Sequence, residues 1–119
     1  MSRFTILEME SVLAFTFRTG DIDEQSLLIA RRRLDADLGS RRLLVAIVSD
    51  EHLRGARQLL IDHGKAEALR GPDALQLSVA LGLKRASLVT VFVAADQKLC
   101  RVAMMEGFTV LNPEQPIAL

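Results

Sequence analysis

The stretch "SLVTVFVAADQKLCRVAMMEGFTVLNP", residues 87–113, decides the fold class. It opens on an apolar, β-branched run and passes an acid. Apolar residues then resume at helical spacing as far as Gly107, and a second β-rich run is stopped by Pro113. Short apolar runs bounded by turn residues read as strands, and a periodic segment closed by glycine reads as a helix. Strand, helix and strand in so short a span require a parallel pair with a right-handed crossover. The chain is therefore expected to be α/β, with residues 88–95 a strand buried on both faces. In such sheets ligands gather beyond the carboxyl ends of the strands. Asp96 stands at one of those ends.

Upstream, "TILEMESVLAFTFR" carries apolar residues at Ile6, Leu7, Met9, Val12, Leu13 and Phe17, which predicts a helix over residues 5–18. Gly20 breaks it, and Asp21 or Asp23 can cap a second helix through "QSLLIARRRLDADL", ended by Gly39 and Ser40. "RRLLVAIVSD" predicts a buried strand over residues 43–48, then a cap at Ser49 or Asp50 and a helix to about residue 62, closed by Gly64. Pro72 suits a first helical turn, where its missing N–H is no loss, so a helix to about residue 83 follows.

With 119 residues, half of them hydrophobic, the chain suits a single domain over residues 1–119. Fifteen basic and fifteen acidic residues cancel, so bulk charge gives no reason to expect nucleic acid, although a local basic face remains open. Apolar runs are interrupted well short of a bilayer span, and the start "MSRFTILEME" lacks a secretory core, which predicts a soluble, cytoplasmic protein without a membrane partner. The lone Cys100 has no disulfide partner in the chain and reads as a buried, inert thiol.

Three acids precede or open helices: Glu8, Asp73 and Asp96. Each has a structural explanation. "TILE" matches a capping box between Thr5 and Glu8; Asp73 follows Pro72, where the helix dipole favours an acid; Asp96 suits an N-cap. The functional alternative is that the three converge. Gathered carboxylates repel, and a hard divalent cation such as Mg²⁺ or Mn²⁺ is the usual reason to gather them. Such an ion activates water and neutralises charge on a phosphodiester.

Taken in order, these segments resemble the PIN-domain family of metal-dependent nucleases, above all the toxin halves of bacterial toxin–antitoxin pairs. "SRFTILEMESVLA" is similar to the family helix carrying Ser, Thr and Glu, and puts the second family acid at Glu8. "RGPDALQLSVAL" resembles its Asp-Ala-Leu helix start, with the third acid at Asp73. "VFVAADQKLCRVAMMEGFTVLNP" resembles its penultimate strand, acid, helix, Gly and last strand, with the fourth acid at Asp96.

The resemblance covers nearly the whole chain. It implies a three-layer fold with a short, mostly parallel sheet (strands near 43–48, 88–95 and 108–112) flanked by helices. It also implies a VapC-like, Mg²⁺- or Mn²⁺-dependent endoribonuclease with Glu8, Asp73 and Asp96 as catalytic and metal ligands. RNA is then the substrate and an antitoxin protein a partner.

Two family features have no counterpart here. The first strand, with its Asp-Thr/Ser motif, is absent, and Ala94 stands where many members have a hydroxyl residue. The absent strand is central in the family sheet, so an open slot must be closed by the flanking strands, by a rearranged N-terminal segment or by another chain. A homo-oligomer, most simply a dimer, is expected. The same two losses suit an alternative: a catalytically inactive PIN-like module for binding or dimerisation, for example with an antitoxin.

Other residues invite simpler accounts. His52 and His63 lie eleven positions apart on one predicted helix, about 16 Å, too far to share a metal. The five arginines of "ARRRLD" and "SRRLL" read as a solvated face or as contacts to RNA phosphates. Met104 and Met105 read as core and flank of the last helix, and with no Trp or Tyr there are few platforms for stacking bases.

Overall fold

The computed structural model describes residues 1–115 and divides the chain into two compact units, Met1–Ile47 and Val48–Leu119.

The first unit holds two helices, α1 (Arg3–Arg18) and α2 (Glu24–Gly39). The N-cap of α1 is Ser2, whose Oγ accepts from the Thr5 N–H at 3.3 Å. The helix thus begins two residues before the predicted start, and Glu8 falls in its second turn. Gly20, at φ +81°, supplies the left-handed turn that stops α1. Asp23 caps α2 by accepting from the Ser26 N–H at 2.7 Å, and this bond holds its carboxyl below the usual carboxylate range. The two helices are joined by Arg31 Nε to Glu10 Oε2 at 3.0 Å.

The strand expected at 43–48 does not form as an element. What exists is an isolated parallel bridge between Ser2 and Ala46, made by the Arg3 N–H to the Ala46 carbonyl at 2.8 Å and the Ala46 N–H to the Met1 carbonyl at 2.7 Å. A strand needs paired backbone along its length, and among the described residues this bridge is not extended into a ladder along "LLVAIV".

The second unit contains α3 (Asp50–Glu67), α4 (Gly71–Arg85), β1 (Val91–Val93), α5 (Gln97–Met105) and β2 (Thr109–Leu111). Strands β1 and β2 are parallel, with Val91 beside Thr109, Phe92 beside Val110 and Val93 beside Leu111. The β–α–β unit read from the sequence is present in this mixed helix-and-strand unit. Its strands are shorter than the predicted 88–95 and 108–112, pairing over three residues each, and the turn before β2 is made by Gly107, in the left-handed region at φ +91°.

Nor is β1 buried on both faces. Phe92 and Val110 pack toward the core, while Val91, Val93 and Leu111 are exposed on the other face. A pleated strand alternates its side chains, so covering one face leaves every second residue outward.

The core of this unit joins Ala56 and Leu59 of α3, Ala74 and Leu77 of α4, Leu99, Val102 and Ala103 of α5, and Phe108 at the entry to β2. Leu77 and Val102 are its largest fully buried side chains. Phe92 tilts against Phe108 with ring centroids 5.6 Å apart. Helices α3 and α4 approach closely at Gly55, where a β-carbon would collide with Ser78 Oγ. That hydroxyl is buried because it donates to the His52 carbonyl at 2.6 Å.

Helix α3 runs past Gly64 to Glu67, which the sequence had suggested it would not. A helical glycine costs only about 1 kcal/mol relative to alanine. Two contacts from the last turns of α3 to the α5 segment oppose that cost: His63 Nε2 with Glu106 Oε1 at 2.9 Å, and Arg101 Nε with Glu67 Oε2 at 2.9 Å. The helix ends at Ala68, in the left-handed region at φ 53°. Among the described residues no helix is long and apolar enough to cross a membrane.

Truncating Leu77 to alanine leaves a cavity at the centre of this core and is expected to cost about 2–5 kcal/mol in chemical denaturation. Val93→Ala, on the exposed face of β1, is expected to change stability by no more than about 0.5 kcal/mol. Equal effects of the two would refute this placement of the core.

Candidate functional site

Asp96 follows β1 directly and is the N-cap of α5: its Oδ1 accepts from the Leu99 N–H at 3.0 Å. Strand β1 is rigidly seated by its pairing with β2, and α5 by the buried Leu99, Val102 and Ala103, so the exposed carboxyl between them is held at a fixed point. Asn112 lies just beyond the end of β2 and ties the strand ends together by donating from Nδ2 to the Ala95 carbonyl at 3.1 Å.

Asp73 lies in the first turn of α4, after Pro72, with Ala74 and Leu77 behind it in the core. Its half-buried carboxylate is 3.9 Å from Arg70 Nε, across the N-terminus of the helix. Both acids thus stand at helix N-termini, where the helix dipole favours negative charge. Their sequence neighbours explain why: Pro72 fixes the entry into α4, and the strand-ending "AAD" turns the chain into α5.

Glu8, the third acid, belongs to the first unit and sits half-buried on α1. Within neither unit do the described residues gather three His, Cys, Asp or Glu side chains closely enough to hold an ion. The structure therefore seats Asp73 and Asp96 in one unit and Glu8 in the other.

Cys100 lies one turn into α5, beneath Asp96. Burial raises its thiol pKa, and the Asp96 charge adds to the rise. Its Sγ donates to the Ala94 carbonyl at 3.2 Å. It borders a shallow depression lined also by Gln97, Arg101, Met104 and Asn112. A neutral, buried thiol is a poor nucleophile.

The histidines occupy different parts of α3. His52 Nδ1 accepts from the Ser49 N–H at 3.0 Å and completes a capping box at the helix start, whereas His63 pairs with Glu106 near the other end. Neither role was assigned from the sequence. A Ser-x-x-His start is a sign of such a box, but His63 meets a residue 43 positions away, for which no local pattern exists. Of the five arginines, Arg31 pairs with Glu10, and Arg33 and Arg42 flank Asp37 at 3.6 Å each. Met104 and Met105 are both exposed, so neither fills the core as the helical pattern suggested.

No family model, no curated protein and no solved structure gives a significant match to this chain.

Asp96→Ala is expected to lose about 0.5–2 kcal/mol of stability through the α5 cap, whereas Asp96→Asn keeps an acceptor oxygen and is expected to lose far less. Thermal unfolding of the two variants measures the difference, and equal losses would show that the charge, not the cap, stabilises the turn.

Cys100 is expected to react with a disulfide reagent near pH 8 at least about tenfold more slowly in the folded protein than in denaturant. Because folding raises its pKa, the thiol's contribution to stability is intact below about pH 8.5 and is lost as pH rises through the folded value. Equal reaction rates with and without denaturant would contradict the burial.

Proposed function

We propose that the chain is a PIN-type, metal-dependent endoribonuclease domain, with Asp73, Asp96 and Glu8 supplying carboxylate oxygens to Mg²⁺ or Mn²⁺. The observation that carries the proposal is the β1–Asp96–α5–β2 unit. A parallel pair joined by a helix presents an acid at the carboxyl end of its first strand, in the order that the family resemblance requires. Asp73 at the start of α4 adds a second acid in the same unit.

The donor set suits a hard cation, since all three residues offer carboxylate oxygen and none offers sulfur or imidazole. When bound, such an ion lowers the pKa of attacking water and offsets charge on the phosphodiester. The protein's own contribution is positional. The cap bond engages one Asp96 oxygen and fixes the carboxyl, while Arg70 holds Asp73 at the mouth of its helix. RNA is the substrate class under this proposal, an antitoxin protein a partner, and the bacterial cytoplasm the setting.

A second function rests on a different observation. Val91, Val93 and Leu111 leave one face of the two-stranded sheet apolar and exposed, which suits a catalytically inactive module for binding or dimerisation.

Cleavage of single-stranded RNA that requires added Mn²⁺ and drops at least about a hundredfold in Asp96→Asn is the expected result for the enzyme. Because Asn preserves the cap, such a loss reports the charge rather than misfolding. Full activity in that variant, or activity indifferent to chelator, would exclude the assignment; no cleavage by the wild type would favour the module.

A further inference from the structure

Beside the entry to β1, at the end of the strand opposite Asp96, the last turn of α4 and Glu106 border an open cleft of about 500 Å³. Lys84, Arg85, Ser87 and Thr90 line it together with Glu106, and Leu81 and Val89 form an apolar wall. A pocket of this size with a few converging polar groups is the usual form of a small-molecule site.

Cations in the last turn of a helix ordinarily answer its dipole. Here much of that negative end is already satisfied by backbone: the Gly82, Leu83 and Lys84 carbonyls accept from the N–H groups of Ala86, Leu88 and Ser87 at 3.2, 2.9 and 2.9 Å. Ser87 closes this turn in the left-handed region, at φ 60°, where glycine is the less costly residue. Serine at that point brings a hydroxyl to the cleft. Among the described residues, the side chains of Arg85, Ser87 and Thr90 make no hydrogen bond or ion pair within the protein.

Lys84 is held more firmly. Its Nζ donates to the Glu106 carbonyl at 3.4 Å and lies 5.6 Å from the centroid of the Phe108 ring. Gly107 admits it, since a β-carbon there would come within 2.8 Å of Nζ. An ammonium has three donors, so the single carbonyl leaves others for a ligand. The Glu106 carboxylate is paired with His63 Nε2 at 2.9 Å, which offsets the acid on this lining.

We infer that the cleft binds a phosphate monoester. Lys84 and Arg85 match its two negative charges, the Ser87 and Thr90 hydroxyls donate to its oxygens, and Leu81 and Val89 cover the carbon group it carries. Phosphate oxygens only accept, and charge-assisted bonds from such a donor set are the strong ones. The guanidinium fork of Arg85 can hold two oxygens at once. Glu8, Asp73 and Asp96 take no part in the lining, so the inference goes beyond the ribonuclease proposal and does not rest on it.

Amide chemical-shift titration of the isotope-labelled full chain tests it, in metal-free buffer near pH 8 and at fixed ionic strength. The probes are butyl phosphate and inorganic phosphate, both mainly dianions at about that pH. Butyl phosphate should bind the wild type saturably, with a dissociation constant of about 1 mM or tighter and shifts centred on residues 84–90. Inorganic phosphate should bind at least about threefold more weakly, because it lacks the carbon group. Arg85→Gln and Lys84→Gln should each weaken butyl phosphate binding at least about fivefold. Ser87→Gly should weaken it about twofold or more while the thermal midpoint holds or rises, since glycine relieves the left-handed turn. A purely structural serine would show the stability change alone. Arg54→Gln removes an exposed charge from α3 outside the cleft and should leave the affinity unchanged.

No saturable binding by the wild type, full affinity in Arg85→Gln, or equal losses in Arg85→Gln and Arg54→Gln would overturn the site. Inorganic phosphate binding as tightly as butyl phosphate would overturn its assignment to a monoester. Where Lys84→Gln disturbs folding through Phe108, the exposed Arg85 and Ser87 variants decide. Neither RNA nor divalent metal enters the measurement, so its failure and that of the ribonuclease proposal are separate results.

Discussion

A parallel pair of three-residue strands cannot hold itself together in water, and the second unit depends on how that weakness is met. The answer lies in the contact of α4 and α5 with one face of the sheet, where Leu77 and Val102 lose all contact with solvent and Phe92 and Phe108 close the gap beside them. Burial of this kind contributes about 25 cal/mol per Å² of apolar surface, and it is what makes the short ladder worth forming. The same contact fixes where β1 ends and α5 begins. Asp96 is thus placed by core packing on either side of it and by its own cap bond to the Leu99 N–H.

Close approach of the helices follows from small residues at the points of contact. Gly55 lets α3 lie against α4 at Ser78, and the hydroxyl buried there is satisfied by the His52 carbonyl instead of being left without a partner. Across α3 and the α5 segment, the Glu67–Arg101 and His63–Glu106 pairs act at partly exposed positions, where each contributes little by itself. Both tie the C-terminal end of α3 to the α5 segment, and Glu67 does so from beyond Gly64.

The sequence disclosed whatever local chemistry controls. Helices α2, α4 and α5 stood out because Asp23, Pro72 and Asp96 mark their starts and Gly107 marks a stop, and the parallel pair followed from the two apolar runs on either side of α5. Partner-dependent features stayed hidden. "LLVAIV" has strand composition, but a strand exists only where backbone lies alongside it, and Met1 and Ser2 provide a single bridge. The apolar run of β1 likewise implied two covered faces, since composition records what a residue tolerates and not what is packed against it. The true cap of α1 was missed because Ser2 and Thr5 are both good caps and only the helix start, set by the bridge to Ala46, chooses between them.

The site acids show how a structural role and a chemical one can share a residue. Asp96 was open to two explanations, an N-cap or a ligand, and the cap is present. An ionised carboxylate has two oxygens and about four lone-pair positions, however, and the cap bond to Leu99 takes one of them on Oδ1. A group already oriented by one bond loses less freedom when it takes up another, so capping prepares a carboxylate for a further interaction instead of competing with it. Asp73 follows the same logic, with the dipole of α4 and the charge of Arg70 offsetting the cost of a half-buried acid. Glu8 lies in the second turn of α1, past the first-turn positions where the helix dipole most favours an acid, so the electrostatic argument that serves Asp73 does not extend to it.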